Sequence, residues 1–273
     1  MTDITTKTLA ELSNLFQNGE VKSREITEAF IKNIEARDGE INAFITTTFD
    51  EAREMADAAD SRFANDKVLS PLDGMPFALK DCICTKGIRT TAASKILDNF
   101  IPPYDATVWK KLKEAGVVLL GKLNTDEFTM GASTENSAYG VVKNPHDLSR
   151  VAGGSSGGPA AAIAANFCAG TIGTETGGSI RYPANCCGVS GLKVSYGRVS
   201  RHGTIPMASS LDTVGPIAKT AKDCAMIMEI IAGNDVHDST TLPDGSLDFL
   251  KNLDDSISGM TIGIPKEYLS GGI

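Results

Sequence analysis

The chain has 273 residues, of which 41% are hydrophobic and 22% charged, and its formal net charge is −8. These proportions are ordinary for a globular protein, and the acidic balance argues against a general nucleic-acid-binding surface. No apolar run reaches the ~18–20 residues that a membrane span needs. The N-terminus is polar and then amphipathic, so we expect neither a signal peptide nor a transit peptide, and we expect a cytoplasmic protein.

The cysteines and histidines do not form a metal-binding pattern. The cysteine spacings are C-x-C and C-C without nearby histidines, whereas zinc needs four ligands at recognisable spacings. The three histidines lie far apart in the sequence. The sequence therefore predicts reduced thiols and no metal site. The six cysteines are Cys82, Cys84, Cys168, Cys186, Cys187 and Cys224.

The first predicted elements are two amphipathic helices. Thr8 and Glu11 have the spacing of a capping box, which opens the first helix, and Gly19 can end it. Ser23 is expected to cap the second helix. We interpret both helices as packing elements without chemistry.

A strand and a third helix complete the N-terminal part. The segment Ile41–Phe49 is β-branched and aromatic, which predicts a strand. Asp50 then opens a helix that runs to about Ala64. We expect residues 1–65 to form a mainly helical part of one domain that spans 1–273.

A lysine follows a short apolar strand in the next stretch. Pro71–Gly74 predicts a turn, and Met75–Leu79 predicts a buried strand that leads directly into Lys80 and Asp81. Lysine is rarely buried without a partner, so a strand-end lysine that reaches solvent is the plain alternative. The position makes Lys80 a candidate for chemistry only if other features support it.

The following helix and strand contain a false nucleotide motif. Asp105 is expected to cap a helix through Ala115, and Val117–Leu120 predicts a buried strand. Gly116 and Lys122 superficially have the spacing of a phosphate-binding loop. Leu123 replaces the required Ser or Thr, and the four middle residues are strand-like. The sequence therefore predicts no ATP site in this chain.

A long polar connection, Asn124–Asn144, separates this strand from the glycine-rich part. Loops of this length are usually functional or disordered. The presence of Phe128, Met130 and Tyr139 favours an ordered lining.

Two glycine-rich loops, Gly153–Gly158 and Thr176–Ser179, each carry serine. The apolar segment Pro159–Cys168 lies between them and predicts a buried helix, because proline suits a first helical turn. A short strand is expected at Thr171–Thr174 and another helix near Ser179. Loops of this composition could also be a flexible linker, an anion-binding turn or a plain turn.

The C-terminal part adds two elements. Thr220–Ala232 predicts an amphipathic helix followed by glycine, and Met260–Ile264 predicts a strand. The new strand and loop stop at Ile273, so we expect the chain to be truncated. The alternation of strands and helices predicts an α/β fold with helices covering a sheet.

The two loops and Lys80 together indicate nucleophilic catalysis. A serine hydroxyl is a poor nucleophile until a base removes its proton, and neither loop has a histidine beside it. A buried lysine can serve if its pKa falls from about 10.4 towards 7–8. The backbone N–H groups of Thr176, Gly177 and Gly178 could hold an oxyanion, which can be worth ~3–4 kcal/mol per donor. A histidine triad assembled from distant residues stays open.

These residues resemble the amidase signature family, in which a lysine after an apolar strand is paired with two such loops. The resemblance rests on Phe77–Asp81, Gly153–Gly158 and Gly173–Pro183. It implies a mixed central β-sheet covered by helices on both faces. It also implies that Ser179 is the acyl-forming nucleophile, that Ser155 is a bridging serine preceded by a cis peptide at Gly154, and that Lys80 is the terminal base.

Within this family, the stretch Asn124–Gly140 is similar to the glutaminase subunits of tRNA-dependent amidotransferases. This resemblance implies glutamine as the substrate, partner subunits B and C in a heterotrimer, and amidation of Glu-tRNA(Gln) to Gln-tRNA(Gln). It implies no cofactor in this chain: ATP and magnesium are used by a partner subunit, and tRNA is contacted mainly through partners. The departures are Glu175 in place of Asp, Tyr182 in place of Gln, and the uncommon pair Cys186-Cys187.

Two other functions stay open at this point. One is a free-standing amidase that hydrolyses another small amide. The other is a truncated, non-catalytic module that binds or assembles, which the abrupt end of the chain would support.

Overall fold

A computed structural model describes residues 3–243 and 248–268. Those residues form seven α-helices, eight strands and a few 3-10 turns. The helices are α1 (Leu9–Gln17), α2 (Ser23–Ile41), α3 (Phe49–Ala64), α4 (Thr107–Glu114), α5 (Gly157–Ala164), α6 (Arg181–Cys186) and α7 (Ala221–Ile231). The strands are β1 (Phe44–Thr47), β2 (Pro76–Lys80), β3 (Val118–Leu123), β4 (Lys143–Asn144), β5 (Asp147–Val151), β6 (Gly170–Glu175), β7 (Ser190–Gly191) and β8 (Thr213–Ala218).

Six strands form one mixed sheet in the order β1-β3-β2-β6-β8-β7, and β4 with β5 forms a separate hairpin. The central strands β3, β2 and β6 are parallel to one another. The outer pairs β1 with β3, β6 with β8 and β7 with β8 are antiparallel. Since the carboxyl ends of parallel strands meet at one edge, the ends of β2 and β6 lie side by side there.

Helices cover both faces of this sheet. A Cβ added at Gly170 would contact Ile227 of α7, whereas one added at Gly173 would contact Ser156 at the start of α5. Residues three apart in a strand point to opposite faces, so α7 and the start of α5 lie on opposite sides of β6. This covering explains why β2, β3, β6 and β8 are buried at every position. The predicted α/β fold, with a mixed sheet covered on both faces, is confirmed.

Several predicted element bounds are confirmed closely. The capping box of Thr8 and Glu11 opens α1, and α3 ends at Ala64 as expected. The strand at β6 and the helix at α7 match their predictions within two residues. Thr220 also caps α7 through a capping box.

Two predicted helix caps are wrong, because tertiary contacts use the capping groups elsewhere. Ser23 lies inside α2, after Lys22 at the cap position, and its hydroxyl donates to the carbonyl of Gly74 at 2.7 Å. The Asp105 carboxylate accepts the N–H of Lys86 at 2.7 Å, while Ala106 precedes α4. Both side chains bond distant backbone partners in preference to the local helix end.

Two predicted strands also need correction. The strand expected at Ile41–Phe49 covers only Phe44–Thr47, because α2 continues through Ile41 to Asn42, which has a left-handed φ of 64°. The strand expected at Met260–Ile264 is not found. Met260, Ile262 and Ile264 are 69%, 74% and 71% exposed, and within the described residues no strand pairs with this segment. A strand needs a neighbour for its backbone hydrogen bonds. The expected end at Ile273 lies outside the described residues.

No helix within residues 3–243 and 248–268 has both the length and the apolar character that crossing a bilayer would require.

Candidate active site

Lys80 is the last residue of β2 and is wholly buried. Its Nζ lies 2.7 Å from the Oγ of Ser155 and 2.9 Å from the Oγ1 of Thr174. Burial lowers the pKa of Lys80 to about 8, although nearby Cys82 and acidic side chains oppose that shift. The alternative that this lysine reaches solvent is therefore wrong: it is a buried amine with two hydroxyl partners.

Ser155 lies in the loop that leads into α5, and it too is wholly buried. The peptide bond between Gly154 and Ser155 is cis, as the family resemblance implied. The next residue, Ser156, occupies the cap position of α5 and donates its hydroxyl to the carbonyl of Thr174 at 3.1 Å. The two consecutive serines thus make separate contacts, and only Ser155 meets the lysine.

Ser179 lies at the end of the second loop, just before α6. Its carbonyl accepts the N–H of Ser156 at 3.1 Å, which joins the two glycine-rich loops. Its side chain makes no hydrogen bond to Ser155 among the described residues, and Ser179 keeps 9% of its surface exposed. The structure therefore brings Lys80 and Ser155 into contact and holds Ser179 beside them through the backbone.

The three residues predicted to bind an oxyanion precede Ser179 in one turn. Among the described residues, no backbone acceptor engages the N–H of Thr176, Gly177 or Gly178. Gly178 has a φ of 121°, a conformation open to glycine. The Thr176 side chain is held by Asp212, whose other oxygen accepts the N–H groups at 207 and 208. The contact with Asp212 thus fixes the turn that presents these three backbone N–H groups.

Glu175, where the sequence departs from the family pattern, supports the same turn through contacts with the residues that follow it. Its buried carboxylate accepts the N–H groups of Ile180 and Arg181 at 2.9 and 3.0 Å and pairs with the Arg181 guanidinium. Burial opposes ionisation, yet these hydrogen bonds hold the pKa of Glu175 below its ordinary value. A carboxylate at this place stabilises the N-terminal end of α6, where backbone N–H groups are otherwise unpaired.

Sequence reasoning missed several buried polar residues around Lys80. Thr174 binds the lysine directly. Asp126 is wholly buried, and its Oδ2 accepts the N–H of Thr134 at 3.0 Å. Lys122, the lysine of the false nucleotide motif, is buried 3.4 Å from Asp81 and donates to the carbonyl of Ile83 at 2.7 Å. No local sequence motif marks these residues as part of the site, because their placement beside Lys80 depends on contacts between parts of the chain that are distant in the sequence.

A cavity of about 250 Å³ opens beside the site. Thr174 and Asp212 line it together with His202 and His237, whose rings stack 4.8 Å apart. No hydrogen bond joins a histidine to Ser155 or Ser179 in the part of the chain that the structure describes, so a histidine triad is not assembled. A larger cavity of about 600 Å³ lies between α1 and α7 and contains none of the predicted site residues.

A profile of the Amidase family matches residues 25–271, nearly the whole chain. The chain belongs to the amidase family. Among its amidase relatives, the A-subunit of glutamyl-tRNA(Gln) amidotransferase from Chromohalobacter salexigens is 53% identical over 267 residues, which cover 98% of this chain and 55% of that protein.

Two solved amidase structures extend the comparison. The glutamyl-tRNA(Gln) amidotransferase A-subunit from Thermotoga maritima superposes with a TM-score of 0.84 at 43% identity, covering 95% of this chain and 54% of that one. The peptide amidase from Stenotrophomonas maltophilia superposes with a TM-score of 0.85 at 37% identity, covering 89% of this chain and 52% of that one. The chain thus spans about half the length of the amidases it matches.

Proposed function

We propose that this chain belongs to a glutamine amidohydrolase, the component of a glutamyl-tRNA(Gln) amidotransferase that releases ammonia from glutamine. The observation that carries the proposal is the buried Lys80, bonded at 2.7 Å to Ser155 beside the turn that ends at Ser179. Identity of 53% to such a component over 98% of the chain supports glutamine as the substrate, in preference to another small amide.

In the proposed reaction, neutral Lys80 accepts a proton from Ser155, which accepts one from Ser179. The Ser179 oxygen then attacks the side-chain amide carbon of glutamine. The N–H groups of Thr176, Gly177 and Gly178 hold the resulting oxyanion, where preorganised donors have the greatest effect. Hydrogen bonds of this kind often tighten only when substrate binds, so the contact between Ser155 and Ser179 is expected to close at that stage.

The proton then passes back from Lys80 through Ser155. The C–N bond breaks, the departing nitrogen takes a proton through Ser155, and ammonia leaves an acyl ester on Ser179. Water, deprotonated through the same residues, attacks this ester and releases glutamate. The sum is glutamine and water to glutamate and ammonia, with the enzyme unchanged.

Ammonia is then used elsewhere in the assembly. We propose a cytoplasmic heterotrimer with partner subunits B and C, in which a partner uses ATP and magnesium to amidate Glu-tRNA(Gln). The net charge of −8 favours contact with tRNA mainly through the partners. Lys122, the lysine of the false nucleotide motif, is enclosed in β3 and bound to Ile83 and Asp81, which argues against phosphate binding at that motif.

The test is a glutaminase assay of the full-length protein in its complex, comparing wild type with Lys80→Ala, Ser155→Ala and Ser179→Ala. Each substitution removes a relay group and is expected to reduce kcat by roughly 10³-fold or more, since such groups act as a unit. Ser156→Ala is the matched control, because it removes a neighbouring hydroxyl whose one hydrogen bond among the described residues is to the Thr174 carbonyl. Turnover near the wild-type rate in Ser179→Ala would contradict the mechanism.

Two further measurements separate the alternatives. Glutamine hydrolysis that needs no partner subunits would favour a free-standing amidase. Failure of the full-length wild type to be labelled at Ser179 by an amide-directed electrophile would favour a non-catalytic module.

A further inference from the structure

Asp126 is a wholly buried acid that the proposed relay does not use. It follows β3 by three residues, and its Oδ2 accepts the N–H of Thr134 at 3.0 Å. Burial raises the pKa of Asp126, and the backbone amides of Thr134, Asn136 and Ser133 oppose that rise because they favour the ionised form. Its second oxygen, Oδ1, is buried without a hydrogen-bond partner in the described part of the chain. A buried carboxylate with one orphan oxygen needs an explanation.

Asp126 and Thr134 lie against the backbone on both sides of Ser155. A Cβ added to Gly154 would lie 2.2 Å from Asp126 Oδ2, and one added to Gly157 would lie 2.2 Å from Thr134 Oγ1. The Thr134 hydroxyl donates to the carbonyl of Gly153 at 2.8 Å. Both glycines are therefore required by the close approach of this acid and this threonine.

The segment that Asp126 holds is conformationally strained. Thr134 has a φ of 60°, in the left-handed region that β-branched residues avoid. Phe128 and Thr129, between Asp126 and Thr134, also have positive φ values of 49° and 62°. Strained backbone of this kind persists only where the surroundings fix it. The carboxylate of Asp126 supplies that fixation at Thr134.

We propose that Asp126 is a positioning residue of the active site: through Thr134 it fixes the backbone around Ser155, and its negative charge acts on Lys80. This inference rests on the proposed function and deepens it. The Asp126 carboxylate lies against Gly154, the residue before Ser155, and the Ser155 Oγ lies 2.7 Å from the Lys80 Nζ. The charge is therefore close to an amine that is shielded from water, where Coulombic effects are strong. The groups that favour the ammonium form of Lys80 are Cys82, Asp126, Asp212 and Glu175.

The two roles predict different results for Asp126→Asn and Asp126→Ala in the glutaminase assay of the full-length complex. Asparagine keeps an oxygen for the Thr134 N–H but removes the charge, so the pKa of Lys80 falls further. The acid limb of the pH–rate profile then moves to lower pH, by roughly half a unit or more. Alanine also frees Thr134, and kcat is expected to fall about 10²-fold with KM little changed, because the hydroxyl of Ser155 is displaced.

Glu127→Gln is the matched control. It removes the same charge one residue away, where the carboxylate binds the Ser94 hydroxyl at 2.6 Å, and its acid limb is expected to stay at the wild-type pH. If the pH midpoint of the acid limb is unshifted or raised in Asp126→Asn, the inference is overturned, whatever happens to kcat. A wild type that hydrolyses glutamine and a dead Ser179→Ala variant would at the same time leave the proposed function intact.

A second pair of variants decides the question if Asp126→Asn does not fold. Thr134→Ser keeps the hydroxyl that donates to Gly153, and Thr134→Val removes it at nearly the same volume. We expect Thr134→Ser within about threefold of wild type and Thr134→Val about tenfold or more lower in kcat, at similar KM. Equal kcat values for these two variants would overturn the inference.

Discussion

The Nζ of Lys80 and the Oγ of Ser155 lie 2.7 Å apart, and neither residue has exposed surface. Lys80 ends β2 at the edge of the sheet where its parallel neighbour β6 also ends, and the loop before α5 places Ser155 at this edge. Burial removes water from the amine and favours its neutral form. The sheet therefore has a chemical as well as a structural role, because it holds a lysine that can act as a base.

The first prediction concerns pH. Because the reaction needs neutral Lys80, and burial lowers its pKa to about 8, kcat/KM should rise with pH and level off above that value. At pH 7 only about one lysine in ten is neutral, so the rate there should be about a tenth of the plateau. Glutaminase rates from about pH 6 to about pH 10 test this. A rate that is flat across that range would contradict Lys80 as the base.

The second prediction concerns Glu175, whose carboxylate bonds the N–H groups that begin α6. Glu175→Ala leaves those groups and Arg181 without their acceptor, so the free energy of unfolding should fall by about 1–3 kcal/mol. Glu175→Gln keeps an acceptor oxygen and should lose less. Urea unfolding of wild type, Glu175→Ala and Glu175→Gln provides the comparison. Equal urea midpoints for Glu175→Ala and wild type would refute this role.

The third prediction concerns the ion pair of Lys122 and Asp81, in which both side chains are fully buried. Lys122→Met leaves the Asp81 charge buried without its cation, which typically costs about 3–5 kcal/mol. Adding Asp81→Asn removes that charge. The double variant should therefore lose less stability than the sum of the losses in the two single variants. Lys110→Met is the control, since that side chain is 66% exposed and its loss should change stability by less than about 0.5 kcal/mol. Additive losses in the double variant would show that the pair is not coupled.

Local motifs made the core of the site predictable from the sequence. Lys80 follows a run of apolar residues, and both serines stand in glycine-rich loops, so each signal lies within a few neighbouring residues. The residues that surround them in the fold could not be predicted in that way. The contact of Lys80 with Thr174 joins residues 94 positions apart, and nothing near Thr174 marks it as a partner.

The missed residues share one physical property: they are polar and buried, and they bond groups that are distant in the sequence. Asp126 belongs in the sequence to a polar loop, and its burial depends on the loop folding back over Gly154. The wrong caps at Ser23 and Asp105 have the same origin, since each side chain bonds backbone that is far along the chain. Sequence patterns report local preference, and tertiary hydrogen bonds override it.

The last prediction uses two adjacent glycines of the turn before Ser179. Gly178 has a φ of 121°, whereas a Cβ added at Gly177 meets no atom within 4 Å. Gly177→Ala should therefore leave the turn in place, and Gly178→Ala should distort it, at a conformational cost of about 1–3 kcal/mol. Because the turn is proposed to hold the oxyanion, kcat should fall about 10²-fold or more in Gly178→Ala and by much less in Gly177→Ala. Matched thermal unfolding curves would separate this effect from loss of the fold. Equal kcat values for the two variants would mean that the turn does not bind the transition state.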